Sequence, residues 1–212
     1  MHSVAMGSSS TCSIGMRNEG PDATLGKNAM PIEIERKFLL ADDSWKTLVS
    51  HSTRLRDGIL AFYDGRKIRI RFYDDKATLT VKGPRKGLAR HEFEYEIPAS
   101  DGLVLLEQHC KGEVVEKTRH HILVGAFEWV VDEYHGLLDG VIVAEVELPS
   151  EDTRLDLPAW VGKEVTGVEK YRKVNLVKAR KRKQQDAARR AKKREAAGRS
   201  VSSAAVLGQI SG

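Results

Sequence analysis

Two segments of the sequence carry pairs of carboxylates spaced two residues apart. Glu33 and Glu35 lie in PIEIERKFLL, and Glu145 and Glu147 lie in VIVAEVELP. Residues two apart on a β-strand share one face, so each pair can present two carboxylates to one hard cation. Lys37 shares the face of Glu33 and Glu35, where its ammonium group can reach an anion held by that cation.

Basic residues occur in the same alternating phase in several other segments. Guanidinium and ammonium groups are donors that suit phosphate oxygens. Basic groups beside metal-binding carboxylates are the arrangement that phosphoryl transfer uses, because positioning and charge neutralisation supply most of that catalysis. The candidate phosphate ligands of this kind are Lys37, Arg69, Arg71, Lys82, Arg90, Lys117 and Arg119.

Alternation of apolar and polar residues with a period of two dominates residues 31–177 and predicts about eight β-strands. Asp64-Gly65 is a hairpin signal between two of these strands. Few helices are expected: one over 42–49, one over 100–110 that begins at a Ser cap, and one from about Tyr171. The fold class is therefore α+β, mainly β and antiparallel.

The charged faces of these strands admit two interpretations. Each face can be an ordinary solvated surface, which is the simpler reading for any single strand. About seven strands carry such rows, however, with few Ser, Thr or Asn among them, and this favours a closed barrel with a charged interior and helices packed outside. Charges inside a barrel must be balanced by each other, by metals or by a charged ligand. A triphosphate, inorganic or part of a nucleotide, is both polyanionic and metal-chelating.

Composition separates a folded body from a basic tail. The net charge is +5, but residues 178–199 hold eleven Lys or Arg against two acids, so the rest of the chain is net negative. We expect a disordered extension over 1–29, a domain over 30–177, and a basic tail over 178–212 that is disordered or partly helical. A solvated tail is the default interpretation, and weak binding of polyanions without specificity is the alternative. No apolar run approaches the about 18 residues of a membrane span. Two cysteines without metal or redox spacing fit a cytoplasmic protein.

The motifs in order resemble the CYTH superfamily, the triphosphate tunnel metalloenzymes. The match begins with E-x-E-x-K at Glu33–Lys37 and R-x-R at Arg69–Arg71, and covers about residues 31–177. It continues with T-V-K-G at Thr80–Gly83, R-x-E-x-E at Arg90–Glu94, K-x-R at Lys117–Arg119, E-x-x-x-D at Glu128–Asp132, E-x-E at Glu145–Glu147 and V-T-G-x-x-K-Y at Val165–Tyr171.

The resemblance implies an eight-stranded antiparallel tunnel that binds triphosphate with Mg²⁺ or Mn²⁺. It implies metal ligation by Glu33, Glu35, Glu145 and Glu147, with Asp132 as a further ligand, and it adds Lys170 to the phosphate ligands. Lys37, Glu35 and Glu147 are the candidate catalytic residues. The expected activity is metal-dependent hydrolysis of inorganic tripolyphosphate. The alternatives are adenylate cyclisation, hydrolysis of thiamine or nucleoside triphosphates, and a non-catalytic polyphosphate- or nucleotide-binding module.

Overall fold

The computed structural model describes residues 31–110, 112 and 114–207, most of which form β-strands. The strands in this part of the chain are β1 Ile32–Leu40, β2 His51–Tyr63, β3 Arg66–Tyr73, β4 Lys76–Lys82, β5 Ala89–Ile97, β6 Val115–Val124, β7 Phe127–Tyr134, β8 Ile142–Glu147 and β9 Val161–Glu164. The α-helices are α1, Ala99–Val104, and α2, Lys173–Leu207.

Eight of the strands close into an antiparallel barrel. Their order is β5-β4-β3-β2-β6-β7-β8-β1, and pairing of β5 with β1 completes the ring. The first half of β1 pairs with β5, and its second half pairs with the short strand β9. Both the predicted fold class and the closed eight-stranded barrel are confirmed, with β9 as an unforeseen addition.

Local sequence explains the hairpins. Asp64 and Gly65 have φ angles of 46° and 73°, which is the left-handed conformation that a tight two-residue turn between twisted strands requires. The turn fixes the register of β2 and β3, and thereby places Arg69 and Arg71 on the same face of β3 as Lys67.

The apolar faces of the strands point outward and are covered there. Phe38, Trp129 and Val146 pack with Trp45 of a short 3₁₀ helix (Ser44–Leu48) and with Trp160 from the segment before β9. A second cluster lies under α1, where a Cβ added to Gly102 would come within 2.5 Å of the Ala77 Cβ. Glycine thus allows α1 to approach the barrel closely, and the inward faces are left for charged side chains.

The helices differ in detail from the sequence predictions. The predicted helix over 42–49 is a single 3₁₀ stretch, and the helix predicted from Ser100 begins at Ala99 after Pro98 and ends in a π-helical turn, Leu105–His109. The predicted Ser cap is wrong, because Ser100 Oγ bonds to Asp101 instead of a backbone N–H. Proline before the helix has no N–H to donate, and it sets the entry of the chain without a capping side chain.

Helix α2 leaves the barrel surface soon after it begins. Leu176 and Val177 pack against a cluster at the end of the barrel, and Arg180 donates a hydrogen bond to the Asp139 carbonyl. None of the described helices is both long and apolar enough to cross a membrane. The predicted disorder of residues 1–29 concerns residues outside the described part of the chain, and the domain limits stay a prediction.

Candidate active site

A cavity of about 1380 Å³ runs through the barrel. Its lining contains thirteen Lys or Arg and nine Asp or Glu residues, so the wall carries a positive excess. One end of this tunnel lies where the β2–β3 turn, the start of β6 and the first turns of α2 meet; we call it the α2 end. The interior is therefore suited to a small, highly charged anion.

Glu35 and Glu147 face each other across β1 and β8 in this cavity, and we call them the carboxylate pair. The nearest cationic atom to Glu35 is Arg85 Nη2, at 3.9 Å from its carboxylate oxygen. Glu147 forms no ion pair with any residue in the described part of the chain. Two carboxylates thus lie side by side with little compensating charge.

The electrostatics of the carboxylate pair follow from this arrangement. Burial raises the pKa of Glu35 above its ordinary value, and the negative charge of Glu145 raises it further. Burial also raises the pKa of Glu147, with added repulsion from Glu33 and Glu35. Both groups hold protons more tightly than free carboxylates do, because a second negative charge nearby is unfavourable without a cation.

A second group of charges, on β1, β6, β7 and β8, has a different arrangement, and we call it the paired cluster: Lys37, Lys117, Arg119, Asp132 and Glu145. Lys37 Nζ lies 2.5 Å from Glu145 and Arg119 Nη2 lies 3.1 Å from it. Asp132 is fully buried and accepts hydrogen bonds from Arg119, at 2.8 and 2.9 Å, and from Lys117. Although burial opposes ionisation, these cations hold the pKa values of Asp132 and Glu145 below the usual range.

Glu33 also lies in a compensated setting. It pairs in register with Arg90 and accepts hydrogen bonds from Arg90 and from Lys82, the latter at 2.9 Å. Burial opposes its ionisation, but the Arg90 hydrogen bond and the Lys82 charge hold the pKa of Glu33 well below its ordinary value. The antiparallel register between β1 and β8 therefore brings Glu35 to Glu147, while Glu33 turns to β5.

The structure gathers nearly all the sequence-predicted phosphate ligands in one cavity. Arg69 Nη2 lies 3.1 Å from Glu94, and Lys82 Nζ lies 2.5 Å from Glu92. Arg71 donates to both carboxylate oxygens of Asp57 at 2.6 and 3.0 Å. Each of these acids fixes a basic side chain on the tunnel wall. The predicted ligands found in the lining are Lys37, Arg69, Arg71, Lys82, Arg90, Lys117 and Arg119.

Lys170 and Asp132 are placed differently from the other predicted site residues. Lys170 is exposed, and its ammonium group lies 5.1 Å from the centre of the Tyr171 ring, outside the cavity lining. A 3₁₀ turn over Glu169–Tyr171 directs it away from the tunnel. Asp132 is enclosed by its two basic partners and is likewise absent from the lining.

Asp57, Lys67 and Lys173 are among the charged residues of the tunnel that sequence reasoning missed. Asp57 lies between Arg56 and Gly58 in β2, and it forms ion pairs with Arg71 and with the first residue of α2, Lys173. Lys67 extends the row of Arg69 and Arg71 by one step of two residues. The alternating pattern KIRIR already contained the signal for Lys67, whereas no motif signalled Lys173.

The donor set of the tunnel can be compared with the needs of the divalent cation expected from the sequence. Among the described residues, no group of three or more His, Cys, Asp or Glu side chains is arranged to hold a metal ion. Mg²⁺ is commonly bound by only one or two protein carboxylates, with waters and substrate phosphates completing its shell. The carboxylate pair, with its raised pKa values and little cationic compensation, fits that mode of binding.

Comparison with known proteins agrees with the motifs. The family model described as the CYTH domain matches residues 31–181. The chain belongs to the CYTH domain family. A curated relative of this CYTH protein, named an inorganic triphosphatase, comes from Acetivibrio thermocellus. The two are 41% identical over 146 residues, which cover 69% of this chain and 93% of the relative.

Among solved structures, the CYTH protein is similar to the inorganic triphosphatase NE1496, with 30% identity and a TM-score of 0.49. The match covers 68% of this chain and 97% of that one. A putative adenylyl cyclase from Hippeastrum, described as having a dominant triphosphatase activity, matches with 18% identity and a TM-score of 0.45. That match covers 57% of this chain and 80% of the other.

Proposed function

We propose that this CYTH protein is a divalent-metal-dependent triphosphatase that hydrolyses inorganic tripolyphosphate within its tunnel, with Mg²⁺ or Mn²⁺ as the cation. The observation that carries the proposal is the weakly compensated carboxylate pair in a cavity whose lining holds more basic than acidic side chains. The relative from Acetivibrio thermocellus bears the name of the same activity. A polyanion that chelates a metal supplies the cation that the carboxylate pair lacks, and its own negative charge offsets the positive excess of the lining.

In this proposal the carboxylate pair holds the cation, with Glu33 and Glu145 close by on the same two strands. When bound, the cation offsets charge on the phosphates and lowers the pKa of a bound water. Asp132 acts instead as a positioning residue, because Lys117 and Arg119 occupy its carboxylate. Its part is to hold those two basic side chains against the substrate phosphates.

Lys37 serves as a charged clamp for a phosphate oxygen. Burial alone would lower the pKa of Lys37, but the charges of Glu145 and Glu35 outweigh that effect and raise it above its ordinary value. A lysine that stays protonated cannot accept a proton from water near neutral pH. Lys37 and the basic side chains of β3, β4 and β6 thus orient the triphosphate and stabilise charge on it.

A phosphate-release panel tests the proposal. The protein is assayed with tripolyphosphate, ATP and thiamine triphosphate, each with Mg²⁺, with Mn²⁺ and with excess chelator. We expect the highest kcat/KM with tripolyphosphate and no release in chelator. Full activity in chelator, or higher kcat/KM with ATP or thiamine triphosphate, contradicts the proposal and points to the alternative activities of the same tunnel.

The distal part of α2 supports a further proposal, weak binding of polyanions without specificity. Residues 178–193 hold nine Lys or Arg and one Asp, and most of them are exposed. This stretch offers no apolar stripe to pack against the barrel, so its charge is directed largely to solvent. Such attraction depends strongly on salt concentration. The cytoplasmic location expected from the sequence stays a prediction.

A further inference from the structure

Beyond its first turns, α2 is an exposed basic helix. Arg180 donates a hydrogen bond to the Asp139 carbonyl, and every residue from 182 to 193 is exposed. None of the basic side chains in that range forms an ion pair with an acid in the described part of the chain. This stretch of α2 therefore presents to solvent a positive charge that no described residue neutralises.

Most of the basic residues between 178 and 193 share one face of the helix. At 3.6 residues per turn, positions i, i+4, i+11 and i+15 fall within about 60° of one another, and positions i+3 and i+14 flank them. With a rise of 1.5 Å per residue, this face runs for about 22 Å away from the α2 end of the tunnel. We call it the basic stripe, and its residues are Lys178, Lys181, Arg182, Arg189, Lys192 and Lys193.

The composition of the same stretch limits the kind of polyanion that it suits. The residues between the basic ones are only Ala, Gln and one Asp. A helix that binds a membrane surface buries a face of large apolar residues among the lipids, and residues 178–193 contain none. Proteins that bind single-stranded nucleic acid stack its bases on aromatic side chains, which this stretch also lacks. The remaining partner is a duplex that is recognised through its phosphates.

Between the two kinds of duplex, the shape of the helix favours DNA. The major groove of B-DNA is about 12 Å wide and admits an α-helix, whose Lys and Arg side chains then reach the phosphates on both sides of the groove. The major groove of duplex RNA is deep and narrow and does not admit one. The alanines of this stretch keep the helix slender, which suits a fit within the wider groove.

We propose that the basic stripe of α2 binds duplex DNA without sequence specificity, with the helix in the major groove and its basic side chains on the backbone phosphates. This inference rests on the polyanion binding proposed above for the distal part of α2, and it names the partner. Arg182, Arg189 and the two lysines at 192 and 193 lie outside the cavity lining, so DNA bound there leaves the tunnel interior free for its own substrate.

The test measures binding of the full-length protein to fluorescently labelled duplex DNA by anisotropy, in chelator, from about 50 to about 200 mM salt. The double variant Arg182→Gln/Arg189→Gln removes two charges from the stripe. Lys183→Gln/Arg190→Gln is the matched control, because it removes two charges from another face of the same exposed stretch. We expect the stripe variant to bind at least about tenfold more weakly and to reduce the slope of log K against log salt by about 2, with less than about a threefold change in the control.

The same three proteins are then compared with other polyanions and in turnover. Circular dichroism should show equal helix content, and tripolyphosphate turnover with Mg²⁺ should be unchanged, since none of the four substituted residues lines the tunnel. Equal losses of DNA binding in the two variants overturn the proposal, and so does wild-type binding to single-stranded DNA or duplex RNA that is as tight as to duplex DNA. Tighter binding to vesicles of phosphatidylcholine with phosphatidylserine overturns it in favour of a membrane surface.

Two further outcomes separate this inference from the proposals on which it borders. Retention on heparin without binding to duplex DNA overturns DNA as the partner and leaves the general attraction to polyanions standing. Because DNA binding is measured without turnover, an inactive wild type that binds the duplex through the stripe rejects the triphosphatase function and supports the inference.

Discussion

The carboxylate pair and the Lys37–Glu145 pair of the paired cluster lie two residues apart on the same two strands, β1 and β8, yet their electrostatics are opposite. Glu145 is opposite Lys37 and its pKa is lowered, whereas Glu147, two residues further along β8, is opposite Glu35 and its pKa is raised. Ion pairs already satisfy the paired cluster and hold the barrel together. The carboxylate pair gains most from an added cation, and this difference separates structural charges from charges that bind a ligand.

The largest expected effect is on turnover. Glu35→Gln and Glu147→Gln should each lower kcat by about 10³-fold, because each removes half of the carboxylate pair that holds the cation. Circular dichroism should show a folded protein. Glu164→Gln is the control, since Glu164 is an exposed partner of Arg36 outside the cavity. Turnover in Glu35→Gln near that of the control would place the cation elsewhere.

Lys37 offers a way to test whether a paired cation also acts on substrate. Lys37→Ala should lower kcat about 10²–10³-fold, a size typical of a lost donor to developing charge. Lys37→Arg keeps the charge and should retain a substantial part of the activity, as measured by steady-state phosphate release. A loss in the arginine variant as complete as in alanine, with substrate still bound, would instead identify Lys37 as the general base.

Within the paired cluster the main effect should be on folding. Asp132→Asn removes the charged partner of buried Lys117 and one of the two partners of Arg119, and breaking such a buried pair typically costs about 3–5 kcal/mol of unfolding free energy. The melting temperature should fall by about 10 °C in differential scanning calorimetry. A variant as stable as the wild type would show that the ion pairs of Asp132 contribute little to the fold.

The pH dependence of stability should also separate the two groups. A carboxyl group whose pKa is raised on folding lowers the stability of the folded state as the pH rises above its ordinary pKa. Ionised Glu35 is therefore unfavourable at pH 8, whereas near pH 4 its side chain is protonated and this cost is absent. In chelator, Glu35→Gln should therefore melt a few degrees above the wild type at pH 8, and the two should converge near pH 4. A lower melting temperature for the variant at pH 8 would mean that Glu35 has a stabilising partner.

The smallest effect is expected from the far end of α2. Truncation after Lys183 keeps the packing of Leu176 and Val177, the Arg180 contact and the lysines that line the cavity. Tripolyphosphate turnover should therefore change less than about twofold, while retention on heparin at low salt should decrease. If turnover collapses in a folded truncated protein, the distal helix takes part in the tunnel chemistry.

The alternating pattern predicted which side chains share a face, and this was sufficient for the barrel and for most of the tunnel lining. It could not predict which acid meets which base, because that depends on the register between strands far apart in sequence. Glu33 and Glu35 looked equivalent, but closure sends one to Arg90 and the other to Glu147. Lys170 and Lys173 lie in a segment without periodicity, so only the 3₁₀ turn before α2 decides which of them faces the tunnel.

Strand β1 pairs with β5, β8 and β9, and this has a consequence for how the chain folds. β2–β5 and β6–β8 form a pair of meanders whose members are close in sequence, but β1 must wait for partners such as Glu164, which lies 128 residues from Arg36. Contacts of such long range are slow to form. During synthesis, Ile32–Ile34 can pair with β5 first, but the rest of β1 remains an unpaired edge until β8 is complete. The part of the strand that bears Glu35 is therefore exposed to wrong association for the longest time.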